Sequence, residues 1–270
     1  MLSDITIGQY FPGRSVLHRM DPRVKIVLTF ACIVFVFVAN NFWGLLIIGL
    51  LVFISMLLSG ISVYQYLKSL KMILFVVAFT SLLNLFYGSG EPIWKFGFIQ
   101  ITWNGITNAI FIALRIFSLI LFSSVLTFTT SPTQLTDAIE RLMKPLSFFH
   151  IKVHEIAMMM TIALRFVPTL LEETDKIMSA QKARGADLES GGLTQRVKAL
   201  IPILIPLFVS AFRRAYDLAM AMECRCYHGG EGRTRMKSLH ITSLDIWVIG
   251  IVGIVCIGVI VCNILLPKVF

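Results

Sequence analysis

Two short runs hold the residues best placed to do something specific. Ala180-Gln-Lys-Ala183-Arg184-Gly185 and Ala221-Met-Glu-Cys224-Arg225-Cys226 lie 41 residues apart, and each closes an apolar stretch with helical spacing. Each sets one Arg between two small residues. Small neighbours let a helix end slide into a groove while the planar guanidinium reaches a carboxylate or a set of backbone carbonyls, a task that Lys performs poorly. A single Arg in a last turn also has an ordinary role, because a cation there offsets the negative end of the helix dipole. A matched pair points instead to two matched receptors.

Other constellations lead nowhere catalytic. His154-Glu155 begins like a zinc-protease signature, but Met158 stands where the second His belongs. The chain has no Gly-Lys pair, hence no phosphate loop, and no Gly-x-Ser-x-Gly elbow. Cys224, Cys226 and His228 fit no standard zinc spacing, and five cysteines form no even framework of disulfides. No catalytic residue, metal or cofactor is expected. Arg115 falls near the middle of an apolar stretch, where a charge either faces protein, a wet cavity or a partner subunit, or snorkels to an interface. No apolar stretch has a central Asp or Glu for a proton relay, which disfavours a self-sufficient ion-coupled pump.

The elements that position the arginines belong to a membrane protein. Hydrophobic residues make up 57% of the 270 and charged residues only 14%, against roughly 25% in soluble domains. The net charge of +9 is spread between long charge-free runs, which suits an anionic leaflet and acidic partner surfaces better than nucleic acid. Five stretches approach the length of a span: about 24–40, 42–60, 71–88, 105–129 and 244–266. Asn40-Asn41 divides the first two, and Tyr87-Gly88-Ser89-Gly90 closes the third. The expected fold is therefore an all-α membrane protein with about five transmembrane helices and three cytoplasmic or interfacial helices between the fourth and fifth spans. Its regions are 1–130 with four spans, 131–243 on the cytoplasmic side and 244–270 with the last span.

Orientation follows from Lys and Arg. With the N-terminus inside, 21 of the 24 lie in inside segments and only Lys95 and Lys268 outside. The N-terminus is expected in the cytoplasm and the C-terminus outside the cell membrane. Within 131–243, Ser131-Pro132 starts a short amphipathic helix that Pro145 ends. A long helix with a kink at Pro168 leads to Arg184, and another with Pro202 and Pro206 leads to Arg225, stopped by Gly229-Gly230 and Gly232. The apolar run 201–212 is too short to cross a bilayer, so it is expected at the membrane boundary or against other helices. Met159, Met160, Ala163, Phe166, Met178 and Met220 present flexible, apolar surface suited to more than one partner shape.

These residues carry a resemblance. Asp21-Pro22-Arg23-Val24-Lys25 before the first span, the doubled small-Arg-small motif, and the tail Gly229-Gly-Glu-Gly-Arg-Thr-Arg235 resemble the transmembrane T component of energy-coupling-factor (ECF) transporters, over essentially the whole chain. The resemblance implies a scaffold that joins two cytoplasmic ATPases, A and A', to a membrane-embedded, interchangeable substrate-binding S component in bacteria that take up vitamins or other micronutrients. It implies that Ala183, Arg184 and Gly185 dock one ATPase and Cys224, Arg225 and Cys226 the other, and that ATP is hydrolysed by those partners alone. The family more often has Ala-Arg-Gly at both places; Cys-Arg-Cys is the departure here. A self-contained channel or secondary carrier with Arg115 in its pathway is the competing expectation, and a membrane anchor that recruits soluble partners without transport is a third.

Overall fold

The computed structural model describes residues 9–86, 92–96, 99–186, 192–230 and 239–265. Tyr87 to Gly90, Gly191, the tail from Glu231 to Arg235, Lys237 and Lys268, all used in the sequence reading, lie outside them. The described elements are α1 (Val16–Arg19), α2 (Pro22–Val38), α3 (Phe42–Ser59), α4 (Val63–Phe86), β1 (Pro92–Phe96), β2 (Ile99–Thr102), α5 (Trp103–Thr129), α6 (Pro132–Met143), a 3₁₀ helix (Lys144–Phe149), α7 (Val153–Ala183), α8 (Leu193–Glu223) and α9 (Ser243–Leu265). They fall into two compact units, one of residues 9–138 and 239–265 and one of residues 139–230.

The first unit is a bundle of α2, α3, α4, α5 and α9. Its core is apolar and drawn from four helices: Cys32 and Val36 of α2, Ile48 and Val52 of α3, Phe122 of α5, and Val252 and Val259 of α9. Lipid tails are as apolar as these side chains, so close packing and polar ties between helices hold such a bundle.

The ties sit at the helix ends. Asp21 caps α2, its Oδ1 accepting from the Arg23 N–H at 2.9 Å, with Pro22 preset for the first turn. The Asp21 N–H donates in turn to Asp245 Oδ1 at 3.0 Å, while Asp245 Oδ2 accepts from the Thr242 N–H at 2.7 Å, so one buried carboxylate serves the starts of both α2 and α9. The Arg23 guanidinium grips Asp21 at 2.6 Å and donates to the Leu239 carbonyl at 3.2 Å. Lys25, also buried, reaches across to the end of α5, where Nζ donates to the Thr129 carbonyl at 3.0 Å. At the far ends, Asn263 accepts from the Asn40 N–H at 3.1 Å and donates to the Val38 carbonyl at 2.6 Å. The helices α2 and α9 are thus parallel and fastened at both ends.

Some expectations change in detail and others hold. The third helix begins at Val63, eight residues before the expected start, and bends by 58° between Lys71 and Ile73, so the exposed Lys68 and Lys71 lie on its first arm while the second arm, Ile73–Leu85, starts close to the expected position. The short amphipathic helix ends at Met143, just before Pro145 as expected, and a 3₁₀ helix that includes Pro145 follows it directly. A short antiparallel ribbon, β1 with β2, precedes α5. Pro168 lies within α7, and Pro202 and Pro206 lie within α8, the two long helices expected to carry them. The run 201–212 is the middle of the 31-residue α8, the second long helix expected there.

By length and composition alone, five helices among the described residues are apolar enough to cross a membrane: α3, α5, α8 from Val197, α9 and α7, with a sixth if the bent α4 counts as one span. The all-α membrane fold with about five spans stands. This criterion admits α7 and α8, whereas α2, with 17 residues, falls just short of it.

Candidate functional site

In the second unit α7 and α8 lie antiparallel. The Arg214 guanidinium donates to Glu173 Oε2 at 2.9 Å, Ser210 donates to the other oxygen of Glu173, and Gln181 Nε2 donates to the Pro202 carbonyl at 3.4 Å. Toward the other end, Met159, Ala163 and Phe166 of α7 face Ala215, Ala219 and Met222 of α8 across a groove of about 640 Å³. Antiparallel packing places the end of α7 beside the start of α8, and the end of α8 beside the start of α7. Arg184 and Arg225 therefore stand at opposite ends of the pair, on the order of 40 Å apart at 1.5 Å per residue.

The two ends share one backbone form. After α7, the Ala186 N–H donates to the Gln181 carbonyl and the Gly185 N–H to the Lys182 carbonyl, both at 3.0 Å. After α8, the Tyr227 N–H donates to the Met222 carbonyl at 3.1 Å and the Cys226 N–H to the Glu223 carbonyl at 2.8 Å. Each is a Schellman cap, with the residue following the arginine in the left-handed region: φ is +85° at Gly185 and +54° at Cys226. Arg184 and Arg225 hold the same position in the two caps. The small residue after each arginine thus has a backbone role that residue size alone did not reveal, since any Cβ costs about 1–2 kcal/mol in this region.

All six motif residues, Ala183, Arg184, Gly185, Cys224, Arg225 and Cys226, are exposed. Among the described residues neither guanidinium has an ion-pair or hydrogen-bond partner. Each sits where a cation offsets the helix dipole, so that ordinary role is also filled. The dipole does not require that two arginines, 41 positions apart, share one cap register.

The remaining expected residues divide. Met159, Ala163 and Phe166 line the groove. Met160, Met178 and Met220 lie outside it; Met160 and Met220 are exposed and Met178 is half-buried. Arg115 is half-buried: Nη2 donates to the Ala39 carbonyl at 2.7 Å, and the guanidinium lies 4.8 Å from the Phe111 ring centre. It therefore closes the end of α2.

One contact escaped the sequence reading. Gly230 lies against the His154 imidazole so closely that a Cβ would overlap the ring, and His154 Nδ1 pairs with Glu140 Oε1 at 3.1 Å. The chain beyond Arg225 is thereby pinned to the start of α7, beside Tyr227 and His228 at the groove. The signal was present in Gly229-Gly230, but a helix stop explained it without a contact.

Residues 13–236 match the family described as CbiQ, cobalt transport protein. The chain belongs to this family. Among its relatives, the "Energy-coupling factor transporter transmembrane protein EcfT" of Ruminiclostridium cellulolyticum is 57% identical over 251 residues, 93% of this chain and 94% of the relative. Proteins of the same name from Clostridium kluyveri and Bacillus subtilis are 50% and 47% identical, covering 100% and 92% of this chain and 99% and 94% of themselves. The chain is accordingly a multi-pass membrane protein and a transmembrane transport component of the ECF family.

Proposed function

We propose that this chain is the energy-coupling scaffold of an ECF importer. Two cytoplasmic ATPases dock on Arg184 and Arg225, and a membrane-embedded substrate-binding subunit rests on the apolar faces of α7 and α8. The chain itself catalyses nothing. What carries the reading is the pair of identical caps, each presenting an exposed arginine with no partner among the described residues, at opposite ends of one helix pair.

The mechanism is mechanical. ATP binding draws the two ATPases together, and their grooves carry the arginine-tipped ends with them. Packed helices have discrete arrangements and do not deform continuously, so α7 and α8 must pivot about their contact at Glu173, Ser210 and Arg214. The pivot changes the surface offered to the substrate-binding subunit, which reorients or leaves. Vitamin or micronutrient specificity then resides in that subunit. The N-terminus lies in the cytoplasm and the C-terminus outside, in keeping with the charge asymmetry and with parallel α2 and α9.

The test is Arg184→Glu with Arg225→Glu in the assembled transporter. The double variant is expected to keep its helical content and membrane insertion, lose both ATPases on purification and take up no substrate. In the native chain, bound ATPases are expected to shield Cys224 and Cys226 from a water-soluble maleimide. Uptake that persists in the double variant rejects the docking assignment.

A further inference from the structure

Between α6 and α7, nine consecutive residues from Lys144 to Lys152 are all exposed. They include four large apolar side chains, Leu146, Phe148, Phe149 and Ile151. Phe148 is 86% exposed and Phe149 74%, so the chain buries almost nothing of either ring. The display is held in shape. Pro145 sets the first turn of the 3₁₀ helix, and His150, at φ +60°, closes it with its N–H on the Ser147 carbonyl at 3.1 Å. The two rings stand edge to face, 5.9 Å apart.

The rim has one sign. Arg141, Lys144 and Lys152 flank the apolar residues, and no Asp or Glu occurs between Glu140 and Glu155. Glu140 is turned to His154, and Glu155 pairs with Lys152 at 3.2 Å. Exposed aromatic and aliphatic side chains between cations are the pattern of a segment that lies in a membrane interface, apolar groups below the phosphates and ammonium groups among them.

We propose that Lys144–Lys152 is an interfacial anchor, with Phe148 and Phe149 sunk into the boundary of an anionic leaflet and Lys144 and Lys152 at its phosphates. The anchor sets the depth of the start of α7 and gives that helix a fixed point. It does not depend on the docking of ATPases, and its test reads lipid contact, not transport.

The full-length chain, with its five cysteines replaced by serine, receives a nitroxide at Phe149→Cys or, separately, at Leu146→Cys, and is placed in bilayers containing phosphatidylglycerol. Collisions with oxygen are expected to exceed those with a water-soluble nickel chelate several-fold at both sites. Lys144→Ala or Lys152→Ala should each lower the ratio of inserted to free label about fivefold, and neutral phosphatidylcholine bilayers should lower it further. Nickel-dominated collisions at both sites in every bilayer overturn the proposal. So does shielding from both reagents that arises only when partner subunits are present, which makes the patch a protein interface.

Discussion

The bundle helices are shorter and more apolar than the 31-residue α7 and α8, and the two regions also treat their helix ends differently. The apolar window of α5 is 33% buried, against 11% in α7 and 6% in α8. Burial alone does not separate the regions, because α9 is also only 11% buried. The ends do. Asp245 and Asn263 fasten α9 to α2 at both ends, and Lys25 closes the end of α5. The ends of α7 and α8 instead present charged side chains outward from satisfied caps. Among the described residues the bundle ties its ends to one another, whereas the pair leaves both arginines without a partner, which is what the proposed docking requires.

The largest expected break in that contrast is Asp245→Ala. It strips the acceptor from two N–H groups, those of Asp21 and Thr242, and removes a fully buried carboxylate that Arg23 and Lys25 face across the cluster. A loss of about 3 kcal/mol is expected, read as a lower unfolding midpoint of the detergent-solubilised chain. Amide exchange should accelerate in α2 and α9 and hardly change in α7 and α8. Uniform acceleration would mean that the two units are not separately stabilised.

A smaller effect in the other unit sharpens the comparison. Glu173→Ala removes both the Arg214 and the Ser210 bonds and should cost about 2 kcal/mol at most, since Arg214 keeps access to water. Exchange should quicken along α7 and α8 while the bundle midpoint holds. ATP-driven uptake should fall more than ATPase binding, because the caps remain while the pivot loosens. Equal losses of both would place Glu173 in the docking step.

How much of this was legible depended on whether a signal was local. Helix positions were, because long apolar runs and turn residues such as Asn40-Asn41 and Ser131-Pro132 act within a few residues. Ser131 and Gln134 form the expected start of α6 through reciprocal bonds of 3.3 and 3.2 Å. The arginine motifs were legible as a repeat, but their shared cap was not, because a left-handed residue is easily read at Gly185 and not at Cys226. The partners of Asp21 and Lys25 lie 224 and 104 residues away, which no local pattern encodes. Phe148 and Phe149 went unread because Pro145 marks the end of α6, which is correct, and nothing local marks the 3₁₀ turn that displays them.

The smallest expected effects test whether the two caps are equivalent. At Gly185 a Cβ would meet nothing within 4 Å, so Gly185→Ala isolates the backbone cost of φ +85° and should weaken the end of α7 by about 1 kcal/mol. The converse, Cys226→Gly, relieves the same strain at φ +54° and should strengthen the end of α8 by a similar amount, since the exposed thiol leaves no cavity. Exchange of the Ala186 and Tyr227 amides, the closing donors of the two caps, reports each change directly. Opposite shifts of similar size make the caps one device built twice, with the cysteine version held under more strain. A shift at Gly185 alone would leave Arg225 on an end shaped by the Gly230 contact with His154, and the symmetry would then belong to the sequence motif and not to the force that each helix end transmits.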